Sequence, residues 1–313
     1  MPVAMERRRT PPRRPARQDP ARQAPARPPR RRTRPGRFGR RGAPAAALLL
    51  LVALAGCSGG GGGGAAPGVA SPSAVPTQLA AAAMPTGIPG DWHLVFEDEF
   101  DGGSLDRAKW STGSPDAAHP DGVTAPVNTK ELDCYDASQV SVRDGLLRIT
   151  AVAKQQSCGG RTLPYVSGMV NSKGKFSFAH GAMEARIDVP AAAPGVVANW
   201  PAFWSVGADW PAGGENDVME GLHGRVCSYF NSDIASTGSC ADSDLTGWHV
   251  FGSDWQPGRV DYYRDGVLVA TITAGVTSAP MWLMIDNAVQ PSIGGPTAVP
   301  ATLQVDYVRV WQR

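Results

Sequence analysis

The sequence predicts an all-β fold, a two-sheet β-sandwich of the jelly-roll kind, and two observations carry that expectation. Short stretches of alternating apolar and polar residues recur through residues 91–313, where no stretch keeps a 3.6-residue apolar period for ten residues. Gly, Pro and Asp break these stretches at close intervals, as turns between short strands require. A parallel α/β sheet is excluded, because nothing in this region could form its crossover helices.

The strands follow in order. "LLRITAVAK" and "GMVNSKGKFSF" read as strands. In "GAMEARIDVP", Met183, Ala185, Ile187 and Val189 alternate with Ala182, Glu184, Arg186 and Asp188, which marks a half-buried strand. "RVDYYRDGVLVATI" reads as a hairpin, with Asp265-Gly266 suited to a type I′ turn. The closing "ATLQVDYVRVWQ" is expected to put Leu303, Val305, Tyr307, Arg309 and Trp311 on one face.

Charge divides the 313 residues into unlike parts. The whole-chain net of +2 combines an Arg-rich, Pro-rich residues 1–41 with an acidic region at 91–313. Between them, "APAAALLLLVALAG" is too short for a membrane span, which needs about 20 apolar residues, and fits the h-region of an export signal. Leu54-Ala55-Gly56-Cys57 resembles a bacterial lipobox, which implies a lipid on Cys57; an ordinary signal peptide is the alternative. Basic charge directly before an h-region argues for export and against a nucleic-acid arm. Residues 1–57 are therefore expected to be the signal, 58–88 a Gly/Ala/Ser/Pro tether and 89–313 the folded domain. The expected product is an exported monomer that meets a membrane only through its lipid.

Four cysteines remain in the domain, Cys134, Cys158, Cys227 and Cys240. An even number in an exported chain suggests disulfides. Three pairings are open, the two short loops Cys134–Cys158 and Cys227–Cys240 being favoured. Zinc is the rival reading, though neither Cys spacing nor a nearby His supports it.

"GGENDVMEG" carries the chemistry. Breakers on both sides make Glu215 to Glu220 a strand rather than a helix. Glu215 and Asp217 share a face, and Glu220 joins them only if one extra residue forms a bulge at Val218-Met219. Like charges on one ridge repel and raise at least one pKa. Two carboxyls about 5 to 5.5 Å apart equip a retaining glycosidase. The plainer readings are an acidic turn or a calcium loop. Trp200, Phe203, Trp204 and Trp210 just upstream favour a sugar cleft, since aromatic faces stack on pyranose rings.

With "LVFEDEFDGGSLDRAKW", "KGKFSFAHGAMEARIDVP", "NWPAFWSVG", "FGSDWQPGRVDYYRDG" and "VDYVRVWQ", this segment resembles glycoside hydrolase family 16, the laminarinase and β-glucanase family, over about residues 91–313. The resemblance implies a jelly roll with a concave cleft. It implies Glu215 as nucleophile, Asp217 as the partner that tunes it and Glu220 as acid/base. It also implies sugar contacts at Trp200, Trp204, Arg186 and Asn231. Catalysis needs no cofactor, but some members hold a structural calcium, and the matching positions are Glu99 and Gly145 through backbone oxygens and Asp306 through its carboxylate. Those three are equally at home as strand-end turns. Two residues depart from the pattern: Asn216 replaces Ile or Leu, and Asn231 replaces a cleft His. The expected function is endo-acting, retaining cleavage of β-1,3 or mixed β-1,3/1,4-glucan. A sugar-binding protein without catalysis, a transglycosylase and a galactan hydrolase are the alternatives.

Overall fold

The computed structural model describes residues 84–119 and 121–313. The export signal, Cys57 and most of the tether lie outside the described residues. Within them, the only helical element is a short 3-10 turn, Ala137–Gln139, and the rest of the regular structure is strand.

Two sheets face each other. A seven-stranded sheet runs in the order Ser236–Cys240, Arg225–Asn231, Glu215–Leu222, Trp200–Gly207, Met281–Ala288, Met169–Asn171 and Ser111–Thr112. The other, eleven-stranded, sheet has Gly247–Gln256, Gly181–Val189, Ala301–Gln312 and Leu146–Cys158 at its centre. Between them lies an apolar core, built from Phe203, Val218, Phe230 and Ile285 on one side and Met183, Ile187, Val305 and Tyr262 on the other. Burying one face of each sheet leaves the alternate residues of each strand on an outer face.

The hairpin forms as its sequence suggests: Arg259–Arg264 pairs with Val267–Ile272, and Asp265 and Gly266 both have positive φ, as a type I′ turn needs. Both favoured disulfides form. Cys227 and Cys240 face each other directly on neighbouring strands.

Two expectations fail. The closing strand does not keep one face from Leu303 to Trp311. Its register shifts between Val305 and Tyr307, so Leu303, Val305, Val308 and Val310 enter the core while Tyr307 meets Glu184, and Arg309 meets Glu99, away from it. The tether also ends earlier than expected. Ile88 is buried with Trp92, Tyr263 and Trp311, and Pro85 is buried as well.

Thr86 fastens this segment to the domain. Its backbone N–H and hydroxyl donate to the two oxygens of Glu184, at 2.6 and 3.0 Å. Burial pushes the Glu184 carboxyl up, against the pull of the Thr86 and Tyr307 hydrogen bonds. Gly87 passes so close to the 265–266 turn that a Cβ would lie 2.0 Å from the Gly266 carbonyl oxygen. A chain beginning at residue 89 therefore loses two donors to a buried carboxylate and uncovers Trp311. Its stability should fall by on the order of 2 to 4 kcal/mol, and its Tm by several degrees, in calorimetry against a chain beginning at 84.

Candidate active site

The cleft lies on the outer face of the seven-stranded sheet. On Trp200–Gly207 the core takes Phe203, so Trp200, Ala202, Trp204 and Val206 point to the cleft. The neighbouring strand does the same with Trp282, Met284, Asp286 and Ala288. The resulting cavity measures about 730 Å³, a size suited to a few sugar rings.

The acid strand joins this surface through its bulge. Glu215 lies opposite Val206, Asp217 opposite Trp204 and Glu220 opposite Ala202, all cleft-facing positions. Two residues lie between Asp217 and Glu220, but only one lies between their partners Tyr229 and Cys227 on the other side. One residue is therefore extra, and the Val218 and Met219 side chains both enter the core. Gly214, at φ +81°, leads into the strand where a Cβ would lie 2.2 Å from Thr277 Oγ1. Only glycine fits that approach.

Burial raises all three carboxyls. Glu220 is pushed up to about 7, chiefly by burial and further by the Glu215 charge, against a hydrogen bond from Trp200. Asp217 is raised well above the usual range, by burial first and then by Glu215 and Glu220. Glu215 is raised by burial and held down by hydrogen bonds from Asn231 and Trp210. The donors around the triad are neutral. Trp200 Nε1 donates to Glu220 Oε1 at 2.9 Å. Asn231 Nδ2 donates to Glu215 Oε1 at 3.0 Å and to Asp217 Oδ2 at 2.8 Å. The Ser236 hydroxyl donates to Asn231 Oδ1 at 2.6 Å and so fixes which end of the amide faces the acids.

Trp200 and Trp204 both line the cleft, and Trp204 donates from Nε1 to Asp286 Oδ1 at 2.8 Å. Asn231 contacts the carboxylates themselves, which makes it a residue that orients the acids. Arg186 corrects the expectation. Its strand belongs to the eleven-stranded sheet, and Met183, Ala185 and Ile187 fill the core, so Arg186 points out of the opposite side of the molecule. There it pairs with Asp306 at 2.9 Å and lies over Trp248 at 4.5 Å, out of reach of the cleft.

Of the expected calcium positions, Glu99 and Gly145 would offer backbone oxygens, and the Asp306 carboxylate, the one side-chain ligand, meets Arg186 through Oδ2 at 2.9 Å. Among the described residues no three Asp, Glu, His or Cys side chains gather as metal ligands. Asn216 faces the core as its strand position requires. Nδ2 donates to Ser253 Oγ at 3.1 Å across the sheets, and Oδ1 is buried without a partner.

The sequence reading passed over Glu131, Tyr135, Asp286 and Trp282, which line the same cleft. The alternation Glu131, Asp133, Tyr135 in "ELDCYD" was the available signal, since it puts two acids and an aromatic on one face.

A cleft on the outer face of a jelly roll, with two glutamates and an aspartate brought together by a bulge, defines the class of family 16 glycoside hydrolases. Comparison with known proteins agrees. The chain is 31% identical over 262 residues to glucan endo-1,3-beta-glucosidase A1 of Niallia circulans, covering 70% of this chain and 38% of that protein. It is 29% identical over 260 residues to the beta-glucanase of Rhodothermus marinus, covering 71% of this chain and 85% of that one. The solved laminarinase catalytic domain of Thermotoga maritima superposes with a TM-score of 0.59 at 27% identity, covering 72% of this chain and 99% of that domain. The model of the family described as beta-glucan synthesis-associated protein SKN1/KRE6/Sbg1 matches residues 75–239, more than half of the chain, and the chain belongs to that family. The chain spans about two fifths of the length of the first curated relatives it matches.

Three measurements test these contacts. Trp200→Phe removes the donor that lowers the Glu220 pKa, so the alkaline limb of a pH–rate profile should move to higher pH. The Glu220 pKa is raised in the folded chain, so its stabilising contribution is complete below the unfolded value of 4.5 and lost as pH rises through about 7. Melting temperatures measured from pH 4 to 8 should fall across that window, and less steeply in Glu220→Gln. Asn216→Leu combined with Ser253→Ala removes the orphaned buried oxygen together with its partner group. That double variant should gain about 1 kcal/mol in urea unfolding.

Proposed function

We propose that the protein is an endo-acting, retaining β-glucanase that cuts β-1,3 or mixed β-1,3/1,4-glucan outside the cell. The bulged acid strand carries this reading, because it gives one cleft two glutamates with raised pKa values in different hydrogen-bonding surroundings. The names of the matched relatives support the substrate.

Glu215 is the nucleophile. Its carboxylate attacks the anomeric carbon while Glu220, protonated because burial holds its pKa near 7, gives its proton to the leaving oxygen. Trp200 occupies Oε1 of Glu220, which leaves Oε2 to carry that proton. The glycosyl ester on Glu215 is then opened by water, from which Glu220 takes a proton. Two inversions return the β configuration. Asn231 holds Glu215 and Asp217 through one amide and keeps Glu215 aimed. Asp217, whose pKa is raised by burial and by the Glu215 and Glu220 charges, shares the Asn231 amide with the nucleophile and so helps to position it. Trp200 and Trp204 offer ring faces to the sugars. The open cleft suits cutting within a chain. The N-terminal sequence supports export and lipid attachment at Cys57, and acyl labelling lost in Cys57→Ala tests both.

Laminarin, lichenan and agarose incubated with the domain should release reducing ends from the glucans, initially as the β-anomer by NMR. Glu215→Gln should abolish release. Glu220→Gln should lower kcat on glucan about 10²- to 10⁴-fold and spare substrates with activated aryl leaving groups. Initial α-anomer, or release that persists in Glu215→Gln, would sink the mechanism. The matched family's description as synthesis-associated favours a second outcome of the same ester, transfer to a sugar hydroxyl. Laminari-oligosaccharides longer than the one supplied would show it.

A further inference from the structure

The charge lining the cleft is one-sided. Besides the catalytic triad, Asp116, Glu131 and Asp286 face into it, and Lys173 is the only cation among its described lining residues. Lys173 is already engaged: it pairs with Asp116 and lies 4.8 Å from the centre of the Trp282 ring.

Glu131 and Asp286 have no cationic partner on their carboxylates. Glu131 accepts from the Tyr135 hydroxyl at 2.7 Å and from the Asn128 backbone N–H at 2.8 Å. Asp286 accepts from Trp204. Behind them Asp133 takes the Val289 N–H on one oxygen, while its other oxygen is buried without a partner. Arg161 donates to the backbone carbonyls of Thr129 and Glu131, and from there its charge pulls the Glu131 pKa down without offsetting burial. Burial raises all three acids and pushes Glu131 up to about 7; the Glu131 charge further raises Asp133 and Asp286, and the Asp133 charge raises Asp286.

Their position matters for substrate. Across the sheet, Ala202 lies between Glu220 and Asp286, each one strand away. Two strand spacings are about 10 Å, and alanine leaves that gap open, so a sugar ring over Ala202 sits between the two carboxyls. A hydroxyl there can donate to Asp286. A sulfate or carboxylate brings no such donor and meets an acidic lining.

Resting on the glucanase reading, we propose that the cleft accepts neutral glucan and rejects anionic polysaccharides, and that Glu131 and Asp286 set this selectivity. Specificity then comes from a repulsive element as well as from ring stacking.

The test compares laminarin, carboxymethyl-laminarin and hydroxyethyl-laminarin of equal substitution at about pH 8, where Glu131 is ionised. The hydroxyethyl polymer has the bulk without the charge. Expected is a kcat/KM at least about tenfold lower on the carboxymethyl than on the hydroxyethyl polymer, a gap that narrows in 0.5 M salt. The gap should also narrow several-fold in Glu131→Gln and Asp286→Asn, each variant being compared only with itself. Equal rates on the two derivatives would overturn the proposal. So would a gap indifferent to salt and to both variants. If the variants do not fold, the salt series on the unaltered protein decides. If no polymer is cut, the glucanase reading fails separately, and affinity electrophoresis in the same three polymers still reads the selectivity.

Discussion

The site depends on one surplus residue. A regular strand from Glu215 to Glu220 would send Glu220 into the apolar core with Phe203 and Ile285, where an ionised carboxylate has no partner. The bulge at Val218-Met219 reverses this, burying two apolar side chains in succession and returning Glu220 to the cleft. Neighbouring strands supply what the acids then need. Trp200 serves Glu220, Asn231 serves Glu215 and Asp217, and Ser236 serves Asn231. Every one of these donors is neutral. The acids are thus held in place without a counter-ion, so their pKa values stay raised.

Much of this was legible in sequence because it is local. The five-residue spacing from Glu215 to Glu220, set between glycines, requires either a bulge or a buried charge. The Asp265-Gly266 turn and the short cysteine loops were equally readable. What was not legible is which outer face a strand presents. "GAMEARIDVP" and "NWPAFWSVG" alternate alike, yet one strand turns Arg186 away from the cleft and the other turns Trp204 into it. Alternation reports that a face is outside, and only the pairing of sheets says which outside.

Two further misses have the same physical origin. The shift between Val305 and Tyr307 has no glycine or proline to mark it. It follows from the outer contacts of Tyr307 and Arg309, made with residues over a hundred positions away. Pro85 and Ile88 were hidden inside a stretch whose composition reads as linker. The burial of Ile88 depends on a hydrophobic patch formed by Trp92, Tyr263 and Trp311, which exists only once distant strands meet. Glu131 and Asp286 likewise share a cleft only after folding.

The Cys227–Cys240 bridge makes part of the support of the acid strand sensitive to the redox state of its surroundings. Cys227 is the residue opposite Glu220, and its disulfide crosses to the edge strand that carries Ser236. One covalent link therefore braces both the row that holds Glu220 and the strand that sets the Asn231 amide. In a reducing cytoplasm that link is open. The row that carries Glu220 and the edge strand that carries Ser236 are then held to each other by their strand pairing without the covalent brace.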